Sequence, residues 1–484
     1  MMRDQRGSIS VFLAVVFLAF LLLISMCTEG IYLYVGQGKA MSACMAGLSH
    51  VRGNYQKDLE ARYHIFAMDP RYVSKAEKDF MEKVKVSLEG SQDSFRYVTG
   101  SASLSQKIYL TDQGGEVLKY QIRELMKYEM PADLLSSWKD RWDQTKETGE
   151  GIGDIRRQME QDEKEAEEKE QKEDEENETV QVQGEEDPRK GFMELLREGS
   201  VRLVMGERKV SSGKVPVRYG KKDTSKEQTW DFMKKDKMEK QLKETEKMVS
   251  GTGLKEELPA ILYSTKYFRN LTSKEKKEGI QYETEYLIAG RDSEKENLGS
   301  VFWKMIGLRF LTNAACVYQD PAKREEAALI AASVLGITGI PPLVAAAKHL
   351  LLLALAYGES VIDVRNLVEG EKVPLVKTTS GWQLPFSGLA GLSCRRKPAE
   401  KGLSYEDYLG LLLIMQGDKQ QKYFRMMDLI EDNIRRKDSG FRMNQCLASC
   451  QITADIKIKR LGFGGMVLPF GAYSDWKFQR TVSY

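Results

Sequence analysis

Three histidines, His50, His64 and His349, are all the imidazole that this 484-residue chain offers for metal binding or proton transfer. None has a second histidine at metal-ligand spacing, so surface or packing roles are expected of each. Glu283 and Glu285 lie in "QYETEYLIAG", residues 281–290, which reads as a strand closed by a glycine turn. On a strand the two carboxylates would share one face about 7 Å apart, a separation resembling that of a glycosidase acid and base. Any Glu-x-Glu on an exposed strand has the same geometry, and exposure is the simpler expectation. Cys446 and Cys450 invite a metal reading, but Cys446, Ala448, Cys450, Ile452, Ala454, Ile456 and Ile458 alternate with mostly polar residues. That is a strand, along which the two sulfurs stand about 13 Å apart, too far for a shared metal or a bond. They are expected as small buried hydrophobes. No phosphate loop, dinucleotide fingerprint or G-x-S-x-G elbow occurs. The residues therefore predict no enzyme, with no catalytic side chain, metal ligand or cofactor.

The element with the strongest signal is the first. "RGSISVFLAVVFLAFLLLISMCTEG" holds 22 residues without charge, Gly7 to Thr28. At 1.5 Å per residue they span roughly 33 Å, enough for the hydrocarbon core of a bilayer. Thirteen of the sixteen residues from Ile9 to Ile24 are Leu, Ile, Val or Phe: Ile9, Val11, Phe12, Leu13, Val15, Val16, Phe17, Leu18, Phe20, Leu21, Leu22, Leu23 and Ile24. On an insertion scale they contribute roughly −4 to −8 kcal/mol. A secretory signal needs only about 7 to 15 apolar residues. The residues before Cys27 suit neither signal cleavage nor lipid attachment well, which favours a retained anchor over those two alternatives. Arg3 and Arg6 flank it on one side and Glu29 on the other. Positive charge stays inside, so the body is expected outside the cell membrane in a single-pass arrangement, with a cytoplasmic N-terminus.

The remainder is polar, with 30 % charged residues and a mean hydropathy of −0.45, which excludes a polytopic transporter. From Gln158 to Asp187 fifteen acidic residues face three lysines, a local −12 that leaves +14 on the rest of a chain whose net charge is +2. Such a surplus suits an anionic membrane or wall polymer, or simple solubility. Nucleic acid is not expected, because an outward-facing body would not meet it. Six cysteines over this length do not form a disulfide framework.

Four segments are expected: 1–30, the N-terminal segment and anchor; 31–145, a juxtamembrane helix and N-terminal region; 146–190, an acidic low-complexity linker; and 191–484, a C-terminal helical α+β domain. The anchor continues as a helix to about Glu60, in which the small residues Ala40, Ala43 and Gly47 serve helix packing or merely a stalk. Helices follow at 116–128 and from Ala132. The acidic stretch, with too few apolar residues to bury anything, is a solvated helix or a disordered insertion. Ala327 to Ala347 carries no charge, but "GITGIPP" breaks it, so a buried helical hairpin with Pro341 and Pro342 starting its second arm is preferred to a second span. That arm ends at Gly370, and two amphipathic helices follow around Gly417. The fold class is α+β and mainly helical, an anchor helix followed by a helical body with a few strands.

"RGSISVFLAVVFLAF", the small-residue helix after it and "YHIFAMDP" resemble the N-terminus of TadE/TadG-like proteins, minor-pilin-like components of bacterial tight-adherence (Tad, or Flp) pili. "QYETEYLIAG", "NLGSVFWKMIGLRFLTN", "GESVIDVRNLVEGEKVPLVK" and "GLSYEDYLGLLLIMQ" with "RMMDLIEDNI" resemble an uncharacterised bacterial membrane-protein family encoded near such machinery. TadE-type pilins carry a glutamate five residues after the processing glycine; after Gly7 that place is Phe12, which fits the uncleaved, TadG-like sort. The resemblance implies a pilin-like stalk, packing of Ala40, Ala43 and Gly47 against neighbouring subunits, and membrane and pilus or secretion-system partners. The expected function is a non-enzymatic assembly or accessory component of a Tad/Flp-type pilus or a type II/IV secretion-like system. The alternative is a membrane-tethered sensor or binder of anionic envelope polymers.

Overall fold

The computed structural model describes residues 6–90, 94–129, 132–173, 187–225, 230–249, 254–274, 278–335, 340–394, 401–462 and 472–484. Within them the fold is mainly helical with one small sheet, the α+β class expected. The chain divides into two compact units, Met1–Gln121 with Ile434–Tyr484, and Ile122–Asn433. This differs from the expected order of a 31–145 region, a 146–190 linker and a 191–484 domain. Antiparallel pairing is the reason: strands near residue 100 and after residue 447 are joined by hydrogen bonds whatever the length of chain between them.

The discontinuous unit starts with α1 (Arg6–Arg52), followed by α2 (Lys57–Tyr63), α3 (Pro70–Val73) and α4 (Ala76–Glu89). Its sheet has the order β1 (Tyr97–Tyr109), β2 (Leu447–Lys459), β3 (Tyr473–Ser483), all antiparallel. The helix expected to reach Glu60 stops at Arg52: Gly53 turns the chain, and Asn54 Nδ2 donates to the His50 carbonyl at 2.9 Å, capping the end. Along β2 the expected alternation holds. Ala448, Cys450, Ile452, Ala454, Ile456 and Ile458 are buried, and the intervening residues are half-buried or exposed. The buried face meets a stripe of α1, Ala40, Ala43, Cys44, Leu48 and Val51, and a stripe of α4, Ala76, Phe80, Val84 and Leu88. Spacings of three and four put each set on one side of its helix.

In the second unit, α12 (Glu294–Gln319) and α14 (Pro341–Val368) pack side by side and are buried on nearly all sides over most of their length. Around them lie α6 (Ala132–Glu173), α7 (Pro188–Arg197), α8 (Ser200–Met205), α9 (Lys235–Val249), α10 (Leu254–Tyr267), α11 (Glu283–Ala289), α13 (Pro321–Leu335) and α15 (Tyr405–Ile414). α5 (Glu116–Glu129) and α16 (Lys419–Arg435) each run across a boundary between the units. Pro341 and Pro342 open α14 as expected, and the helix pair around Gly417 is present.

Two expectations are corrected here. "QYETEYLIAG" is not a strand: Glu283–Ala289 is the helix α11, ended by Gly290 at φ 71°. All seven of its residues are buried, Thr284 and both glutamates included, so no exposed face gives the run a helical period, and a seven-residue segment without one cannot be told from a strand. The acidic stretch buries more than its composition suggests. α6 puts Trp138, Thr145, Ile152, Met159 and Ala166 inside at intervals of seven residues, with Trp142 and Ile155 between them, against α9, α12 and α14. That heptad runs on into the acid-rich sequence and carries Met159 and Ala166 with it. Residues 174–186 of the expected linker lie outside the described ones.

Candidate functional site

α1 has two halves with opposite surroundings. Ile9, Val11, Phe12, Leu13, Val15, Val16, Phe17, Leu18, Phe20, Leu21, Leu22, Leu23 and Ile24 are all exposed, from 40 % at Leu21 to 68 % at Phe12. This part of the helix is long and apolar enough to cross a membrane. Just beyond it aromatic rings gather. Tyr32 stacks on Phe95 at 4.5 Å and its hydroxyl donates to the Ser94 carbonyl at 3.3 Å; the Tyr97 hydroxyl donates to the Gly36 carbonyl at 3.1 Å; Lys39 Nζ lies 4.8 Å over the Phe95 ring. Amphipathic rings at the end of an apolar helix suit the headgroup layer, where one edge is wet and the other is not.

From Ala40 onward the helix turns inward. Ala40 and Ala43 are buried, and a Cβ added to Gly47 would stand 3.0 Å from Val84 Cγ2 and 3.1 Å from Phe80. Ala40, Ala43 and Gly47 thus pack against this chain's own α4 and sheet, whereas the pilin resemblance implies packing against neighbouring subunits. Between the two halves an open groove of about 780 Å³ runs beside Tyr34, Gly38, Met41, Leu88, Tyr97 and Trp476. It is mostly apolar, with Lys39 as its cation. An extended or helical apolar segment fits such a surface.

The densest chemistry lies in the second unit and is closed to solvent. Arg309, at 0 % exposure, donates from Nε and Nη2 to Asp363 Oδ2 at 3.0 and 2.9 Å and from Nη2 to Asn313 Oδ1 at 3.2 Å. Its Nη1 reaches the Pro374 and Leu375 carbonyls at 2.9 and 2.7 Å and the Tyr408 hydroxyl at 3.0 Å. Lys377 donates to Asp363 Oδ1 at 2.6 Å and also to Glu359, which accepts further from the Leu384 amide at 2.8 Å. Burial alone would lift the Asp363 carboxyl, but Arg309 and Lys377 hold it below the usual carboxylate range, whereas burial keeps Glu359 above it. Two cations thus balance two carboxylates, and the network ties α12, α14, α15 and the 374–384 segment together. Its members bind one another rather than an outside ligand.

Glu283 and Glu285, two residues apart on a helix, do not share a face. Glu283 accepts from the Arg269 amide at 2.8 Å and from Asn433 Nδ2 at 2.6 Å, while Glu285 accepts from the Leu271 amide at 2.8 Å and the Tyr405 hydroxyl at 3.0 Å. The acid–base pairing that a strand would give is absent, and both groups are buried where exposure was expected. Burial pushes the Glu285 carboxyl up to about 7. His349 is buried as well, with Nδ1 3.0 Å from the Tyr318 hydroxyl and Nε2 3.2 Å from Asp162, and burial pushes its imidazole down to about 4. His64 caps α2, and Cys446 and Cys450 are thiols buried in the core. Among the described residues no group of three or more His, Cys, Asp or Glu is placed to hold a metal ion.

Sequence reading did not single out Arg309, Glu359, Asp363 or Lys377, nor Asp428, which accepts the Arg218 and Tyr219 amides at 2.8 Å and the Tyr286 hydroxyl at 2.7 Å. The available signal was a charge set inside an apolar helical run, as in "GLRFLTN", "GESVIDV" and "RMMDLI", since a buried charge must find a partner.

The family described as "Family of unknown function (DUF5702)" matches residues 178–458, more than half of the chain. The chain belongs to this family. None of the curated proteins and none of the solved structures compared with it matches. The DUF5702 match takes in the whole Arg309–Asp363–Lys377–Glu359 network, the Glu283 and Glu285 partners, and the central strand β2 up to Ile458. The exposed apolar half of α1, its packed half and β1 lie outside it.

Proposed function

We propose that this chain is a non-enzymatic, single-pass membrane protein whose body lies outside the cytoplasmic membrane of a bacterium. There it serves a tight-adherence-type pilus or a related type II/IV-like secretion system as an assembly or accessory subunit. The observation that carries the reading is the continuity of α1, whose exposed apolar half runs without a break into a half packed on the chain's own sheet, with Tyr32, Phe95 and Tyr97 gathered at the change. A helix built this way holds a folded unit close to the bilayer, and the groove beside Tyr34 and Trp476 gives a partner's apolar segment a surface to occupy. The resemblance of the N-terminus to TadE/TadG-like proteins supplies the kind of system, and Arg3 and Arg6 supply the orientation. The closed state of the charge network favours an internal, stabilising role for the densest cluster of ionisable groups.

A photo-crosslinking residue at Tyr34, which is 79 % exposed, tests this in the producing cell. Capture of a pilus or secretion protein is expected after detergent extraction. Recovery of the chain alone at every crosslinking dose would count against the reading, as would a cytoplasmic signal from a reporter fused after Tyr484. Binding of anionic envelope polymer is the weaker reading. Of the basic residues lining the groove at 214–222, Arg218 pairs with Glu431 at 3.4 Å and Lys222 with Asp292 at 2.6 Å, so much of that charge is neutralised within the chain.

A further inference from the structure

The end of the α13–α14 pair is not the buried hairpin that the sequence suggests. Between Ala327 and Ala347 only Ala327, Ala331 and Ala347 are buried among the described residues, while Leu329 is 72 % exposed and Ile340 and Leu343 are each 44 % exposed. Ala327 and Ala331, four apart, turn one side of α13 toward α14 and leave Leu329 on another. Beyond this end α14 passes into the core and carries Glu359 and Asp363 in the buried network, so α14 is not a second span.

Three features indicate what covers the apolar end. Its chemistry is aliphatic throughout: no charge and no aromatic ring from Ala327 to Ala347, whereas protein interfaces concentrate Trp, Tyr and Arg. Among the described residues, the Ser333 hydroxyl and the first turn of α14 are satisfied within the chain. Ser333 Oγ donates to the Ile330 carbonyl at 2.8 Å, Pro341 and Pro342 bring no N–H to the first turn of α14, and the Leu343 and Val344 amides both donate to the Ile340 carbonyl at 3.1 and 3.4 Å. A helix start without a free amide suits a phase that cannot hydrogen-bond. Its length is that of partial insertion: residues 327–335 rise roughly 13 Å and 341–347 roughly 10 Å, too short for a span but matched to the boundary between headgroups and acyl chains. Charges resume on both sides, at Arg324, Glu325 and Glu326 and at Lys348, which pairs with Asp162 at 2.7 Å.

We propose that the aliphatic surface carried by Leu329 on α13 and by Ile340 and Leu343 at the start of α14 is a second, non-spanning membrane contact at the lipid interface. The inference rests on the reading of α1 as an anchor, which tethers the chain to a bilayer.

The test uses the full-length chain in phosphatidylcholine–phosphatidylglycerol vesicles, in a Cys27→Ser, Cys394→Ser background, with an environment-sensitive fluorophore on Leu329→Cys, Leu343→Cys or, as an exposed reference, Glu325→Cys. Lipid-borne nitroxide should quench positions 329 and 343 at least about threefold more than 325, and aqueous iodide should show the opposite order. Equal access of iodide to all three positions overturns the proposal. So does protection of 329 and 343 from both quenchers, which would mean that protein covers them. Flotation in carbonate separates the two readings: its loss removes the anchor while the quenching still decides the hairpin, and a chain that never floats overturns both.

Discussion

Replacing Arg309 by methionine, close in volume and uncharged, would leave Asp363 and Glu359 facing Lys377 alone, one uncompensated negative charge at 0 % exposure. Breaking a buried ion pair from one side costs about 3–5 kcal/mol. The Pro374 and Leu375 carbonyls lose their donor at the same time, a penalty that overlaps with the first and is not added to it. At about 4 kcal/mol and a urea slope of about 3 kcal/mol per molar, the unfolding midpoint of this unit falls by about 1.3 M. Tryptophan fluorescence reads it directly, because Trp230 packs against Phe310, one residue from Arg309, at a centroid distance of 4.8 Å. The double variant Arg309→Met, Asp363→Leu restores the balance, one lysine against one glutamate, and is expected to be more stable than Arg309→Met alone. A double variant that loses the sum of the two single losses would show that packing, not charge balance, sets the cost, and the account of the network would fail. A loss below about 1 kcal/mol for Arg309→Met would refute it as well.

Gly47→Leu should lower the thermal midpoint of the α1–sheet unit, since its side chain enters space held by Val84 and Phe80, at a cost of about 1–3 kcal/mol. Gly38→Ala, with nothing within 4 Å of the new methyl, should raise that midpoint, adding up to about 1 kcal/mol of stability; equal effects of the two would contradict the packing described. For Glu285, burial raises the folded carboxyl to about 7 from an ordinary value of 4.5, so the folded state holds its proton more tightly than the unfolded one. Its contribution to stability is complete below about 4.5 and is lost as pH rises through 7. Glu285→Gln should therefore unfold at higher urea than the parent at pH 8, relative to their difference at pH 5, and a parallel pH dependence of the two would dismiss the shift.

Much of the fold was legible because its strongest signals are local. The uncharged run from Gly7 to Thr28 states its length outright, and the Cys446 to Ile458 alternation marks a half-buried strand whatever it pairs with. Pro341 and Pro342 mark a helix start because they lack an amide that the first turn does not use. The misread elements are those whose surroundings come from far along the chain. α11 looked like a strand because all its residues are buried, and burial on every side erases the period that separates helix from strand. Of the candidate site, the exposed apolar half of α1 and the small residues Ala40, Ala43 and Gly47 were visible, but not what those small residues touch.

By itself, the sequence determined where a bilayer-length apolar helix lies, that the chain is mainly helical with a few strands, and that its charge is unevenly spread, since each depends only on residues near one another. The tertiary structure alone decided that β1 pairs with a strand more than three hundred residues later, that Arg309 and Asp363 share a hydrogen bond across 54 positions, and that Leu329 faces outward rather than into the core. Pairing, charge compensation and exposure are relations between segments that only folding brings together, and no local pattern carries them.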